Sequence, residues 1–295
     1  MIKNILKKVY GITPSWVLIN TFLKKYIHNK PIPDSVKSFE IKPTKIKLAA
    51  DDSPIARLAF WKGVNGYEPN ELKLYEKLCR RVDSVCEIGG NIGYFTVFGA
   101  FANQKRYTVY EPLPYNFNLL EENIKLNRLE FVESLNYAVV GREDVKLIEL
   151  SLPKAEDYGA VAGGFIEGAE SINREVGATL IVSAINSNKA LRGYELVKID
   201  VEGAEFEILS NAESELVESN SIIFVEMRRG TEKLRSWLTS YVQKYSHKIF
   251  VLSEFDNKIH EILVDRLANI ILQEEFGTRD IIICPKDKSD IVLKP

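Results

Sequence analysis

Val85-Cys86-Glu87-Ile88-Gly89-Gly90-Asn91-Ile92-Gly93-Tyr94-Phe95-Thr96-Val97 sets the end of an apolar run, an acid, a glycine turn and a helix-like segment in immediate succession. The apolar run begins at Val82. Strand, tight turn, helix is the order by which an α/β sheet offers backbone N–H groups to a nucleotide-like ligand at its carboxyl edge.

The spacing separates two kinds of ligand. A dinucleotide fingerprint, Gly-x-Gly-x-x-Gly, uses its second glycine to let the backbone approach a pyrophosphate. Here Asn91 takes that place between Gly89 and Gly93, which argues against a pyrophosphate. S-adenosylmethionine carries no phosphate; it needs room for a methionine tail and an anchor for its ammonium group, which Glu87 beside a permissive turn offers. A glycine turn alone is also a common structural connection. The second half of the signal is Glu111, 18 positions after Gly93, at the end of an expected strand 106–111. A carboxylate there can accept both ribose hydroxyls of an adenosine.

Two further apolar strands end in acids. Leu196-Val197-Lys198-Ile199 runs into Asp200-Val201-Glu202-Gly203-Ala204-Glu205, and Ile222-Ile223-Phe224-Val225 runs into Glu226. Neighbouring parallel strand ends stand about 4.8 Å apart, so Asp200 and Glu226 can face one ligand. Acids held together repel one another unless a cation, hydrogen bonds or protonation compensates. The pair suits a shared Mg²⁺, or one member suits the proton of an acceptor hydroxyl. Glu205 reads more simply as a first-turn carboxylate that favours the helix N-terminus. His28, His247 and His260 read as structural.

Bulk properties narrow the class. With 295 residues, 45% apolar and 27% charged, the chain can bury a full core. A net charge of −2 gives no electrostatic reason to expect nucleic acid. Three cysteines, Cys79, Cys86 and Cys284, lack C-x-x-C spacing and read as buried thiols. No apolar run reaches the roughly 18 residues of a membrane span, and Trp16-Val17-Leu18-Ile19 is too short for a signal-peptide core. A cytoplasmic location is therefore expected. Basic amphipathic helices are expected at 2–10 and 15–27, either as a peripheral contact with a membrane or partner or as a lid over the domain.

Prolines at 31 and 33 mark a linker. Alternation over 39–42 and 45–48, continuing through Ile55 to Trp61, predicts a β-rich stretch with Asp51-Asp52-Ser53-Pro54 as a turn. Leu72, Tyr75 and Leu78 share one face of a helix over 70–81. From residue 82 strand and helix alternate, the pattern of a largely parallel sheet with helices on both sides. Strands are expected near 83–88, 106–111, 130–140, 145–151, 178–184, 194–200, 221–226, 246–253 and 280–284. Helices are expected near 93–102, 114–127, 203–211 and 230–244. Four glycines within 157–168 suggest either an acceptor-binding loop or an exposed insertion.

Glu87 through Gly93, Glu111-Pro112-Leu113-Pro114-Tyr115-Asn116 followed by Leu120, Asn123 and Asn127, Lys198 through Glu205, and Val225-Glu226 resemble, in this order and spacing, the FkbM family of S-adenosylmethionine-dependent methyltransferases. The resemblance covers roughly residues 67 to 228. It implies an α/β fold with a Rossmann-like class I methyltransferase sheet, seven-stranded and mostly parallel, whose last strand, Arg279 to Cys284, is reversed. An N-terminal helical and β extension, 1–66, would precede a methyltransferase domain, 67–295. The implied activity is O-methylation of a hydroxyl on a sugar, glycan or natural product.

Carried over by position, the resemblance puts Glu87, Gly89, Asn91 and Gly93 around the methionine moiety, Glu111 on the ribose, and Asn136 and Ala138 by the adenine. Asp200 and Glu202 would flank the transfer point, with Glu226 as the third acid. Tyr67 and Glu68 echo a Tyr-Glu pair of the family; the Tyr67 ring could stack on a sugar acceptor or pack under the N-terminal segment. Two departures stand out. Family members more often carry Asp at the place of Glu87, and often His at the place of Met227, which leaves the carboxylates as proton acceptors. Two other classes stay open: an NAD-dependent oxidoreductase, against which Asn91 argues, and a catalytically degenerate adenosine-binding module whose N-terminal helices hold a partner.

Overall fold

The computed structural model describes residues 30–153 and 176–293. The helices expected at 2–10 and 15–27, His28, and the glycine-bearing segment at 157–168 lie outside the described residues. Two compact units divide the chain, Met1–Tyr67 and Glu68–Pro295.

In the first unit β1 (Ser38–Glu40) pairs antiparallel with β2 (Lys47–Ala49), Phe39 opposite Leu48. The strand expected through Ile55 to Trp61 is instead helix α1 (Pro54–Lys62). What reads as a turn is a helix start: Ser53 is the N-cap, its Oγ accepts the Ala56 N–H at 3.1 Å, and Pro54 occupies the first turn. A side-chain cap and a proline with its φ already set outweigh the weak alternation that follows.

The second unit opens with α2 (Pro69–Cys79), whose expected face, Leu72, Tyr75 and Leu78, is fully buried. Then follow β3 (Ser84–Ile88), α3 (Tyr94–Asn103), β4 (Arg106–Tyr110), α4 (Pro114–Leu126), β5 (Val132–Leu135), β6 (Ala138–Val140), β7 (Leu147–Pro153) and β8 (Val176–Asn186). The elements that follow include α5 (Ser187–Ala190), β9 (Leu196–Ile199), α6 (Glu205–Asn211), α7 (Glu213–Glu218), β10 (Ile222–Glu226), α8 (Glu232–Tyr245), β11 (His247–Leu252), β12 (Ile259–Ile262) and β13 (Asp280–Pro285).

The main sheet runs β12-β11-β13-β10-β9-β3-β4-β5. β5, β4, β3, β9 and β10 are parallel, and β13 is antiparallel to both β10 and β11. This is the seven-stranded Rossmann-like sheet with a reversed last strand that the resemblance implies, widened at one edge by β12. All five residues of β3 and of β10 are buried, as strands covered on both faces must be. On one face Val197, Ile199, Ile223 and Val225 join a core with Leu209, Leu234 and Leu238 from α6 and α8. On the other Tyr75 packs edge-on against Phe95 and Phe224, ring centroids 5.6 and 5.9 Å away.

The single strand expected over 130–140 is two. β5 belongs to the main sheet and β6 to a three-stranded sheet ordered β6-β8-β7. The break falls at Asn136, whose Nδ2 donates to Glu111 O at 2.8 Å and Pro112 O at 3.0 Å, turning the chain across the end of β4.

The parallel strands β3 and β9 close at their carboxyl ends on Gly89. Its φ is +86°, and a Cβ there would stand 1.9 Å from Asp200 O. Gly89→Ala is therefore strained in backbone and blocked by backbone, which cannot yield as a side chain can. We expect this variant to lose at least about 3 kcal/mol of stability, seen as a drop of roughly 6 °C or more in thermal melting.

Candidate functional site

Register across the sheet aligns the chemistry. Directly opposite residues of neighbouring strands point to the same face. Val109, Glu87, Lys198, Phe224 and Ile282 thus form one row, and Glu226 stands opposite Asp280 in the row nearer the carboxyl edge. Glu111, Gly89 and Asp200 each lie two residues beyond Val109, Glu87 and Lys198 and so extend toward that same edge.

The turn after β3 is held by β4. Gly89 and Gly90 both donate to Tyr110 O, at 2.9 and 3.0 Å. Asn91, at φ +50°, donates its N–H to Glu111 Oε2 at 2.8 Å, while Leu113 donates to Oε1 at 2.9 Å. Gly93 sits at φ +84°, where a Cβ would come within 2.6 Å of Leu120 Cδ1. Asn123 Nδ2 donates to Ile92 O at 2.7 Å, so the Asn of the α4 motif fastens the turn. Glu111 is 4% exposed, and burial raises its carboxyl to about 7 against the lowering effect of the two backbone donors. Each of its oxygens accepts one backbone N–H and keeps a second lone pair. Ala138, the first residue of β6, is buried.

Glu87 lies one layer deeper than its place at a strand end suggests. Its Oε2 accepts from Tyr107 Oη at 2.6 Å and Thr96 Oγ1 at 2.8 Å, and its Oε1 is buried without a hydrogen-bond partner. Burial raises its carboxyl, and the nearby Lys198 opposes that rise.

Lys198 is the central cation of the edge. It is 4% exposed, its Nζ lies 3.6 Å from Asp200 Oδ2, and it caps the Phe95 ring at 4.7 Å from the centroid. Burial lowers its pKa, but Asp200, Glu87, Asp280 and Glu68 together hold the ammonium above its usual range. Glu202, at φ +59°, and Glu226 share Arg228, each at 2.6 Å, and Arg279 reaches Glu226 at 3.4 Å. Burial and Asp200 raise the Glu226 carboxyl. The carboxylate pair offered to Mg²⁺ therefore meets protein cations. Among the described residues no group of three or more His, Cys, Asp or Glu is placed to hold a metal ion.

Glu68, the residue before α2, has φ +39°, and burial together with Asp200 lifts its carboxyl to about 8. Tyr67 ends the first unit. Glu205 accepts the N–H groups of Val201 and Gly203 at 3.2 and 3.1 Å, so it braces the β9–α6 turn from the first helical position. His260 pairs with Asp256 on the β11–β12 hairpin, and His247 packs edge-on to Tyr241.

Local sequence patterns assign no role to Lys198, Arg228 or Asp280. A lysine inside the apolar β9 run is a visible signal of a buried charge. Asp280 carries none, because only its register opposite Glu226 brings it to the edge. All three cysteines are buried free thiols, and no described helix is long and apolar enough to cross a membrane.

A family model described as the methyltransferase FkbM domain matches residues 87–249. No curated protein matches the chain. Among solved structures, a methyltransferase FkbM from Methylobacillus flagellatus KT is 10% identical, with 68% of this chain and 43% of that chain covered and a TM-score of 0.41. M. jannaschii TYW2, solved in complex with AdoMet, is 12% identical, with coverages of 86% and 88% and a TM-score of 0.41. A precorrin-6y C5,15-methyltransferase from Geobacter metallireducens GS-15 is 9% identical, with coverages of 72% and 84% and a TM-score of 0.36. The chain thus spans less than half the length of the first of these proteins.

Burial raises the Glu205 carboxyl to about 7. A raised carboxyl binds its proton more tightly in the folded chain, so its contribution to stability is complete below the unfolded value near 4.5 and is lost as pH rises through 7. Gln at this position keeps an oxygen for both N–H donors and does not ionise. The melting temperature of Glu205→Gln relative to the parent should therefore rise steadily between pH 5 and pH 8; a pH-independent difference would contradict the assignment.

Proposed function

The chain belongs to the FkbM methyltransferase family, and from that premise we propose that it transfers a methyl group from S-adenosylmethionine to a hydroxyl of a sugar, glycan or other natural product. The observation that carries the cofactor reading is the Gly89–Gly93 turn braced on Glu111. Side-chain-free backbone at Gly89, a left-handed Asn91 and a buried carboxylate with spare lone pairs meet at one strand edge. That donor set fits a ribose and an amino-acid tail, and it has no clustered N–H cradle for a pyrophosphate.

In this reading Glu111 receives the ribose hydroxyls, and Asn136 and Ala138, at the next strand, line the adenine side. Gly89, Asn91 and Gly93 receive the methionine moiety. Glu87, turned inward onto Tyr107 and Thr96, supports that wall through Lys198 rather than by direct contact. Glu68 serves the acceptor side.

S-adenosylmethionine, when bound, supplies a methyl group already activated on a sulfonium. The protein's share is mostly alignment of acceptor oxygen with that methyl, for which positioning can contribute up to roughly 7–11 kcal/mol. As the acceptor oxygen takes up that methyl, its hydroxyl proton would pass to a carboxylate of this edge. Arg228 engages both Glu202 and Glu226, whereas Asp200 contacts Lys198 at 3.6 Å and its side chain is 38% exposed. Asp200 is thus the proton acceptor, with Glu202 and Glu226 orienting through Arg228. Because protein cations meet these acids, no step is routed through Mg²⁺.

Asp200→Asn should lower turnover by about 10²–10⁴-fold while S-adenosylhomocysteine affinity, read by calorimetry, stays within about threefold. Glu111→Ala should do the opposite, weakening that affinity at least about tenfold. Equal loss of affinity in both variants would refute this division of labour.

Ribose hydroxyls donate to ionised Glu111, whose carboxyl stands at about 7. Affinity for S-adenosylhomocysteine should therefore fall as pH drops from 8 to 6, and Glu111→Gln should flatten that dependence. A parent profile as flat as the variant's would remove Glu111 from the ribose site.

A further inference from the structure

One recess at the carboxyl edge has no role in the mechanism above. It lies where the first turn of α2 meets β10, β13 and β11, encloses about 200 Å³ including its open mouth, and narrows to the width of a water molecule. Its lining is mostly apolar, from Leu74, Phe224 and Leu252 among others, and Glu71, Asp280 and Thr278 are the polar residues that border it.

Glu71 is the unusual member. The residue is only 3% exposed, and its Oε2 is buried without a hydrogen-bond partner. A helix N-terminus favours a carboxylate, but it favours one in water equally well, and an unpaired carboxylate oxygen in an apolar wall is costly. Asp280 faces the same space, with its carboxyl pushed well above the usual range by burial and by Glu68, Glu226 and Asp200. Glu68, Glu71, Glu87, Asp200, Glu226 and Asp280 gather at this edge, and the cations set among them are Lys198, Arg228 and Arg279. Neither Glu71 nor Asp280 is among the acids that those cations meet at ion-pair distance.

We propose that this recess is an ammonium subsite for the methyl acceptor: a primary amine, as on an amino sugar or amino alcohol, seats between Glu71 and Asp280. An ammonium is about the size of a water molecule and carries three donors, which Glu71 Oε2, the Asp280 carboxylate and the second lone pair of Thr278 Oγ1 can accept. The first lone pair of that hydroxyl already takes the Asp280 N–H at 3.1 Å. The apolar walls strengthen the ion pairing by excluding water. A hydrated Mg²⁺, which sheds its waters reluctantly, does not suit so narrow a space.

The cofactor's own ammonium is not the occupant. Glu111 follows β4, and β4 and β13 are separated by β3, β9 and β10, a distance of about 19 Å at 4.8 Å per strand. That is farther than an amino-acid arm extends from its ribose. The inference rests on the proposed methyltransferase function only in naming the amine's bearer as the acceptor.

The test is calorimetric titration of the full chain with ethanolamine, with ethylene glycol as the neutral control and choline as the bulky cation without N–H donors. Ethanolamine should bind in the millimolar range and the controls should not. Glu71→Gln and Asp280→Asn should each weaken ethanolamine at least about tenfold, with S-adenosylhomocysteine affinity kept within about twofold as evidence of an intact fold. Absence of ethanolamine binding by the parent, binding unchanged in both variants, or choline binding as tightly as ethanolamine would each overturn the subsite. Ethanolamine binding without S-adenosylhomocysteine binding would support the subsite and count against the cofactor reading, so the two fail separately.

Discussion

A single buried ammonium organises the working edge of this protein. Lys198 sits in the middle of β9, in register with Glu87 on one side and Phe224 on the other, where desolvation would cost a lone cation several kcal/mol. It is tolerated because Asp200, Glu87, Asp280 and Glu68 surround it. The same cation makes it feasible to bring those acids together at one strand edge. Remove it, and the repulsion among the acids that terminate β3, β9, β10 and α2's approach has no central counterweight. At the neighbouring strand end Arg228 acts in the same way, joining Glu202 to Glu226.

The β3–β4 half of the edge is built differently. Around the β3 turn the constraint is steric and hydrogen-bonding: Gly89 yields to the Asp200 carbonyl, Gly93 to Leu120, and the freed N–H groups find Tyr110 O and Glu111. One side of the edge is thus shaped by backbone approach and hydrogen bonding, the other by charge. Asp200 joins the two: its backbone carbonyl meets Gly89 on the first side and its carboxylate pairs with Lys198 on the second.

Much of this was legible in the chain. Continuous apolar runs ending in acids, glycine after β3 and the α2 face of Leu72, Tyr75 and Leu78 carry their meaning locally, since each is written along one element. Local signals also misled. Ile55 to Trp61 alternates like a strand, yet Ser53 and Pro54 start a helix there, because a cap satisfies donors that alternation alone does not. The strand expected over 130–140 breaks at Asn136, whose side chain prefers the carbonyls of Glu111 and Pro112, a preference set by residues more than twenty positions away.

By itself, then, the sequence determined the parallel α/β architecture, the family, and the strand-end positions of Glu111, Asp200 and Glu226, because periodicity and turn chemistry act between near neighbours. Tertiary structure alone decided that Glu87 turns inward to Tyr107 and Thr96, that Arg228 occupies two of the acids, and that Asp280 and Glu71 share one recess. Those outcomes depend on sheet order and register, which join β13 to β10 across more than fifty residues of intervening chain. Burial and pairing are properties of the assembled sheet, so no stretch of residues read alone contains them.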